Sequence, residues 1–443
     1  MSKTVRALGL FSVLCIGVNA IVGSGIYRLP GRIAHHLGGA SWAAFAVVGL
    51  LLVSVGLCFA EASGMFSASG GPYVYTREAF GRVPAFIVGW MAWITMVLSW
   101  GAVAHGVVGY LGALVTVEDP ILVHVVVASM IVVPGALNYF GVKPGAYATN
   151  AFTLAKLVPL GLFVAFGIAY VDWGQIQAVP VAPPDGGSVV APLGAALFAA
   201  LFAVQGFEVA PVPAGETKNP RRNVPIAVIG SLVGCSIFYV LIQIIAYGTA
   251  PSIAQGAPGA EDPWSTRPLA DAAQTFLGAP GVTLMSLGAC ISMMGFCVGS
   301  ALASPRFLGV LAEDRLFPSW LAATHPRFGS PHHAIVATAG LTLLASLVLD
   351  FDSLVDLANV AVTLQYVGTC VAVTWLRLKR PDLERSYRVP GGPFLMPLIG
   401  VGVCVLLLSQ AAMAEFVFSG IVVIVGAVLA AISMWVDRRV KRA

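Results

Sequence analysis

The sequence predicts an all-α polytopic membrane protein with twelve transmembrane helices. Of its 443 residues, 58% are hydrophobic and only 10% are charged, whereas soluble proteins carry about 25% charged residues. Apolar runs of membrane-spanning length recur from end to end. No stretch between them is long enough for a second domain, so residues 1–443 are predicted to form one integral membrane domain.

Each predicted span is an apolar run that begins or ends near charged residues, prolines or glycines. The first five spans cover residues 8–34, 41–68, 83–113, 121–140 and 147–170. The next five cover residues 191–214, 225–250, 280–303, 332–349 and 353–376. The last two cover residues 394–412 and 415–436.

The distribution of lysine and arginine predicts that both chain termini are cytoplasmic, because basic residues concentrate on the inner side of membrane proteins. In that orientation most of them lie in inner segments, namely Lys3, Arg6, Arg77, Arg82, Lys143, Lys218, Arg221, Arg222, Arg306, Arg315, Arg327, Arg377, Lys379, Arg380, Arg385, Arg388, Arg438, Arg439, Lys441 and Arg442. Arg28, Arg32 and Arg267 lie outside, and Lys156 lies within a span. The net charge of +4 follows this bias. Nucleic acid is not expected as a partner, because no aromatic stacking platform separates the basic residues.

The first span is interrupted near its middle by Gly23-Ser24-Gly25. Lipid cannot form hydrogen bonds with the backbone groups that such a break frees, so a break persists only where protein, water or a ligand satisfies them. Taken alone, the two glycines could instead permit close packing of helices, as small residues do in membranes.

The sixth span carries a second irregularity. It contains Gly206, Glu208, Pro211 and Pro213 within a short apolar run. Interrupted spans at corresponding positions of two halves are typical of transporters built from inverted repeats. The pair of breaks therefore favours a binding site over close packing and predicts five-plus-five helices with two more at the C-terminus. The first repeat, the second repeat and the additional helices would cover residues 1–170, 191–377 and 394–436.

The two breaks predict the chemistry of the ligand. Gly23 and Gly25 free amide groups at the start of a half-helix, whose positive dipole end favours a carboxylate. Carbonyl groups freed between Val204 and Phe207, at the end of another half-helix, favour an ammonium group. Together they describe an α-amino acid as the small-molecule partner.

Five segments also carry a family resemblance, and they cover residues 23–27, 70–81, 206–208, 216–225 and 325–329. They resemble the signature stretches of amino acid permeases in the amino acid-polyamine-organocation (APC) superfamily, in the same order and spacing. The resemblance implies the fold of the leucine transporter, with the first and sixth helices unwound in mid-membrane. It also implies alternating access and a substrate held between these two helices, with walls from helices three, eight and ten.

The resemblance assigns substrate-binding residues to both breaks, and these are Val22, Gly23, Ser24, Gly25, Ile26, Phe202, Ala203, Gln205 and Gly206. Residues 22–26 match the carboxylate-binding break, Ala203, Gln205 and Gly206 match the amine-binding break, and Phe202 matches an aromatic residue that caps the pocket. Ser300 is a further wall residue, and it stands where some members, notably the arginine/agmatine exchanger, carry a bulky aromatic side chain. The cargo of that member therefore does not carry over to this chain.

Lys156 lies within the fifth span, where a lysine at the helix centre costs on the order of 3 kcal/mol. The resemblance places a lysine here in proton-coupled members, with its ammonium group at the sodium site of sodium-coupled relatives. Because burial favours the neutral amine, such a group can release a proton and couple transport to protons. Snorkelling to the inner surface or a purely structural pairing remains the alternative.

Three carboxylates also need partners or a role. Glu208 follows Gly206 in the broken sixth span, where it could accept a proton during gating or brace the freed backbone. Glu61 is expected to join an inner network with Arg77 or Arg82. Asp356 is expected to face the outer vestibule.

These features predict a secondary active transporter for amino acids in a plasma or bacterial inner membrane, with lipid around it and proton-coupled symport as the mechanism. Exchange of amino acids or amines without net proton coupling remains open. An enzyme is not expected, because nucleotide-loop, zinc-helix and nucleophile-elbow motifs are absent from the sequence. A channel is not expected, because the sequence has no carbonyl filter or rings of like charge. The seven cysteines show no metal-ligand spacing, so no metal or cofactor is expected.

Overall fold

The computed structural model describes residues 7–115, 119–141, 146–178, 190–257 and 262–440. In these ranges the regular structure is helical, apart from one isolated β-bridge between Leu8 and Thr217. Helices α1 to α8 are Leu10–Ile21, Gly25–Leu37, Trp42–Met65, Pro72–Phe80, Arg82–Leu111, Pro120–Tyr139, Ala146–Gly167 and Val190–Val204. Helices α9 to α15 are Pro220–Thr249, Pro268–Leu277, Ala279–Glu313, His332–Val348, Phe351–Lys379, Leu395–Leu408 and Met413–Val440.

Within the described ranges, nine helices are long and apolar enough to cross a membrane, namely α3, α5, α6, α7, α8, α9, α11, α13 and α15. The pair α1 and α2 passes the same test together and is bent by 42° at its break. Helices α12 and α14 are shorter apolar helices. Each predicted span overlaps one of these helices or the bent pair. The short helices α4 and α10 were not predicted, and each begins at a proline, which favours the first turn of a helix.

The interior of the bundle is built around α5, which is buried along nearly its whole length and packs against α11 and α13. Helix α3 packs along α9, and α1 packs against α9 and α7. In contrast, α6 and α15 expose apolar side chains such as Val132 and Ile424. An exposed apolar face of this kind is suited to contact with lipid and leaves the inner helices to form the site.

Glu61 on α3 does not pair with the arginines that the sequence suggested, and this prediction was wrong. Its fully buried carboxylate accepts hydrogen bonds from Arg377 at the end of α13 and from the Val389 amide at 2.8 Å. Arg385 adds a second cation at 3.4 Å. The loop after α13 folds back over α3, so residues that are remote in sequence replace the nearer Arg77.

Arg77 instead joins α4 to the end of α11, where its Nη1 atom lies 2.8 Å from the Asp314 carboxylate. The Tyr73 hydroxyl donates to the same carboxylate at 2.5 Å. Burial raises the pKa of Asp314, but these two hydrogen bonds outweigh that effect and hold its pKa below the usual range. The Phe80 ring of α4 packs on Trp375, so this cluster lies at the same end of the bundle as Arg377, here named the Arg377 end.

A second ionic cluster lies at the opposite end of α13, here named the Asp352 end. Arg32 of α2 pairs with Asp352 at 2.8 Å and with Asp356 at 3.2 Å. Asp356 is thus bound to a cation at this end of the bundle. Arg28, one turn earlier on α2, pairs with Asp262 at 3.3 Å.

Several of the basic residues that predict the orientation lie outside the part of the chain that the structure describes. Lys3, Arg6, Lys143, Lys441 and Arg442 lie outside the described residues, as do the side chains of Arg438 and Arg439. The cytoplasmic location of both termini therefore stays a prediction.

We expect Glu61→Gln to destabilise the protein. The change leaves Arg377 and Arg385 without a carboxylate at a buried site, and breaking a buried pair costs on the order of 3 kcal/mol. The measurement is the apparent Tm in detergent. Glu384→Gln is the matched control, because Glu384 pairs with Arg221 at an exposed site and exposed pairs contribute little. Equal Tm values for the two variants would contradict the assignment.

Candidate functional site

The first span is interrupted over residues 22–24, because α1 ends at Ile21 and α2 begins at Gly25. Ser24 is the N-cap residue of α2, but its hydroxyl makes no capping bond. The Gly23 amide, which was predicted to be free, donates to the Ile21 carbonyl at 3.0 Å, so that prediction was wrong. Among the described residues, no carbonyl accepts a hydrogen bond from the amides of Ser24, Gly25 or Ile26. The start of α2 therefore presents free amides and the positive end of the helix dipole.

Lys156 supplies hydrogen bonds that the carbonyl groups of this break need. Its Nζ atom lies 2.6 Å from the Val22 oxygen and 3.3 Å from the Asn19 oxygen. The Ser292 hydroxyl donates to the same Val22 oxygen at 3.2 Å. Lys156 is fully buried, so its side chain does not snorkel to the surface. Of the predicted alternatives, a structural pairing and a coupling role remain.

The second break follows α8, which ends at Val204. The chain turns at Gly206, where φ is 123° and a Cβ atom would lie 2.6 Å from the Ala20 carbonyl, so the position requires glycine. No described residue donates a hydrogen bond to the carbonyls of Phe202, Ala203 or Val204. The end of α8 therefore presents free carbonyls and the negative end of its dipole.

The two helix ends meet directly. A Cβ atom on Gly25 would lie 2.6 Å from Cα of Ala203, so the backbones of α2 and α8 are in close contact. Free amides at the start of α2 thus lie beside free carbonyls at the end of α8. This arrangement offers donors to an anion and acceptors to a cation within a short distance.

A cavity of about 670 Å³ lies beside these two breaks. Most predicted site residues line it, and these are Gly23, Ser24, Gly25, Phe202, Gln205, Gly206, Glu208 and Ser300. Val22, Ile26, Ala203 and Lys156 are buried but do not line it. Lys156 does not contact the cavity and instead bonds the Val22 carbonyl of the break.

The sequence analysis missed several cavity residues, including Asn19 of α1, Thr95, Met96, Ser99 and Val103 of α5, and Phe296 of α11. Walls were expected from the third, eighth and tenth spans. The third and eighth, α5 and α11, line the cavity, whereas no described residue of the tenth, α13, does so, and α13 instead bonds Glu208 through Tyr366. Helices α5 and α11 are apolar on most of their surface, so periodicity does not identify the face that lines the cavity. Asn19 could have been noticed as an amide near the centre of an apolar span.

The cavity extends towards the Arg377 end of the bundle. Its lining there includes Arg306 and Glu216, which pair at 3.2 Å, and the segment Phe328–Pro331. These residues form its mouth. At the Asp352 end, the Phe202 ring packs on Phe351, and the Arg28 guanidinium lies 4.4 Å from the Phe351 ring centroid. This stack closes the cavity on that side.

Glu208 forms hydrogen bonds with the second break and with α13. Its Oε2 atom accepts a hydrogen bond from the Gly206 amide at 2.8 Å and from the Tyr366 hydroxyl at 2.9 Å. The carboxylate therefore joins the break to α13. This geometry suits a brace, and protonation of Glu208 would weaken both contacts.

A comparison with protein families identifies the chain. A family model described as amino acid permease matches residues 8–436, which is nearly the whole sequence. The chain belongs to the amino acid permease family. This permease is therefore an integral membrane transporter and not an enzyme. Across the residues that the structure describes, no group of three or more His, Cys, Asp or Glu side chains could hold a metal ion.

Curated relatives match over most of their length. The permease is 29% identical to a branched-chain amino acid permease of Bacillus subtilis (strain 168) over 91% of this chain and 87% of the relative. It is 27% identical to a serine/threonine exchanger of the same organism over 95% of this chain and 94% of the relative. It is also 27% identical to a methylthioribose transporter of that organism, over 90% of this chain and 87% of the relative. The named cargoes differ among these relatives, so similarity alone does not identify the cargo of this chain.

We expect Gly25→Ala to reduce amino acid uptake at least tenfold, because the added Cβ would push α2 away from the Ala203 backbone. Uptake of a radiolabelled amino acid mixture into proteoliposomes measures the effect. Gly161→Ala is the control, since a Cβ on Gly161 meets nothing within 4 Å. Normal uptake by Gly25→Ala would argue against the contact between the two helix ends.

Proposed function

We propose that the permease is a secondary active transporter that moves amino acids across the membrane by alternating access and couples this movement to protons. The observation that carries the proposal is the pair of helix ends beside the cavity. The free amides of α2 suit the carboxylate of an amino acid, and the free carbonyls of α8 suit its ammonium group. A zwitterion of this kind satisfies groups that are otherwise unpaired inside the bundle.

The proposal includes a leucine-transporter-type fold with twelve spans. Nine long helices, the bent pair α1 and α2, and the short helices α12 and α14 would form these spans. The interruptions in the bent pair and after α8 support an inverted repeat of residues 1–170 and 191–377, with residues 394–436 as two additional helices. Both termini would be cytoplasmic, in a plasma or bacterial inner membrane, because the basic residues are concentrated on that side.

In this orientation the Arg377 end faces the cytoplasm, and the cavity is open inward. Its mouth lies at that end, whereas the Phe202–Phe351 stack and the Arg32 ion pairs close the Asp352 end. A cavity that is open on one side and closed on the other is one state of an alternating-access cycle. The outward-open state would separate Arg32 from its two carboxylates.

Proton coupling is assigned to Lys156. As an ammonium group it makes charge-assisted hydrogen bonds to the Val22 and Asn19 carbonyls, and such bonds are about twice as strong as neutral ones. Loss of the proton would weaken the hold on residues 22–24, which lead directly into the free amides proposed to bind the substrate carboxylate. Protonation and substrate binding would then act on the same short segment of backbone.

A second candidate is exchange, which a relative named as a serine/threonine exchanger supports. The two mechanisms differ in their need for internal substrate. Empty proteoliposomes with an imposed pH gradient should accumulate amino acid if symport is correct. Uptake that appears only after the vesicles are loaded with amino acid would favour exchange.

We expect Lys156→Ala to abolish pH-driven uptake and to retain amino acid binding, since Ser292 and Tyr239 still donate hydrogen bonds to the Val22 and Ile21 carbonyls of the break. Accumulation under a pH gradient and binding to purified protein are the two measurements. Lys379→Ala is the control, because Lys379 is exposed at the end of α13. Full accumulation by Lys156→Ala would remove this residue from the coupling mechanism.

A further inference from the structure

The walls that α5 and α11 contribute to the cavity carry hydroxyl groups without a hydrogen-bond partner in the described part of the chain. Ser99 of α5 and Ser300 of α11 line the cavity and are 6% and 2% exposed. Neither hydroxyl forms a hydrogen bond with any residue that the structure describes. Thr95, one turn before Ser99, donates its proton to the Met91 carbonyl at 2.8 Å and keeps its oxygen available as an acceptor. Hydroxyls that line a cavity and have no partner in the protein are available to a ligand or to water.

These hydroxyls lie close to the break in the first span. A Cβ atom on Gly23 would lie 3.1 Å from the Phe296 ring and 3.3 Å from Val103. Ser300 lies one helical turn from Phe296, and Ser99 lies one turn from Val103, both on the side of the mouth. One turn is about 5.4 Å. A ligand side chain of one or two heavy atoms, together with one hydrogen bond of about 2.8 Å, spans this distance.

Further acceptors surround the same space. The Oδ1 atom of Asn19 and the Oε1 atom of Gln205 are buried, and neither has a hydrogen-bond partner. Both residues line the cavity. The walls therefore combine hydroxyl donors with amide acceptors near the break, a set that suits an uncharged group able to donate and accept.

The charged residues of the cavity leave no free cation for an anionic side chain. Among the described lining residues, the charged side chains are Glu208, Glu216 and Arg306. Glu208 is bonded to Gly206 and Tyr366, and the other two pair with each other at the mouth. An anionic side chain near the break would therefore be buried without a free counter-charge, which is strongly unfavourable. A lysine side chain is longer than the one helical turn that separates the two serines from the break.

We propose that the cargo is a neutral amino acid with a short hydrogen-bonding side chain, and that Ser99 and Ser300 form its side-chain subsite. This inference rests on the proposed function, since it takes the two helix ends as the site of the zwitterion. A site built to bond a hydroxyl discriminates strongly against an isostere that lacks one, because its own polar groups are then left unpaired. The subsite should thus prefer threonine over valine and serine over alanine.

The test is equilibrium binding of serine, alanine, threonine, valine, leucine, lysine and glutamate to the purified full-length permease. We expect threonine to bind at least tenfold more tightly than valine, and lysine and glutamate to bind more weakly than either. Ser99→Ala and Ser300→Ala should each reduce the threonine-to-valine ratio roughly five- to tenfold, which corresponds to one hydrogen bond.

Ser304→Ala is the matched control. Ser304 is a buried serine on the same helix as Ser300, but its hydroxyl bonds the Ser300 carbonyl and does not line the cavity. It should leave the ratio unchanged. If a serine variant does not yield monodisperse protein, the ratio for the unmodified permease decides.

The outcomes separate the two proposals. Tighter binding of valine, leucine, lysine or glutamate than of threonine would overturn the subsite while amino acid transport still stood. Equal effects of Ser300→Ala and Ser304→Ala would also overturn it. Failure of every amino acid in the panel to bind would instead overturn the proposed function.

Discussion

The contact between the Lys156 ammonium group and the Val22 carbonyl is the interaction on which the site depends. A break inside an apolar bundle is stable only if its carbonyl groups find donors. Lys156 and Ser292 supply these donors from α7 and α11. The carbonyl groups of the break are thus satisfied on the side away from the cavity, and the amides of Ser24, Gly25 and Ile26 have no carbonyl partner among the described residues. One buried cation therefore stabilises the break and leaves its donors available to a ligand.

Close backbone contact is the second requirement, and glycine meets it twice. Gly25 lies against Ala203, and Gly206 lies against Ala20. These contacts bring the start of α2 to the end of α8. The positive end of the α2 dipole and the negative end of the α8 dipole therefore lie beside the same cavity. The sequence predicted both breaks because glycine, serine and proline are conspicuous within apolar runs. It predicted the span boundaries for a similar reason, since membrane thickness fixes the length of each run.

Side-chain partners across the bundle were harder to predict. Arg77 is near Glu61 in sequence, whereas the actual partners Arg377 and Arg385 come from the far end of the chain and from a loop that folds back. The cavity-lining faces of α5 and α11 were equally hard to predict from the sequence, because the polar residues on them are single serines and a threonine. Such residues also occur at helix contacts, so only the tertiary arrangement assigns Ser99 to the cavity.

The cluster around Glu61 also has a kinetic consequence. Glu61 lies on α3 in the proposed first repeat, and Arg377 lies on α13 in the second, so the ion pair ties a helix of one repeat to a helix of the other. Rocking that separates α3 from α13 must break this contact before the inner side can rearrange. Its rupture would then contribute to the activation barrier of each cycle, and turnover could be limited by a carboxylate remote from the cargo.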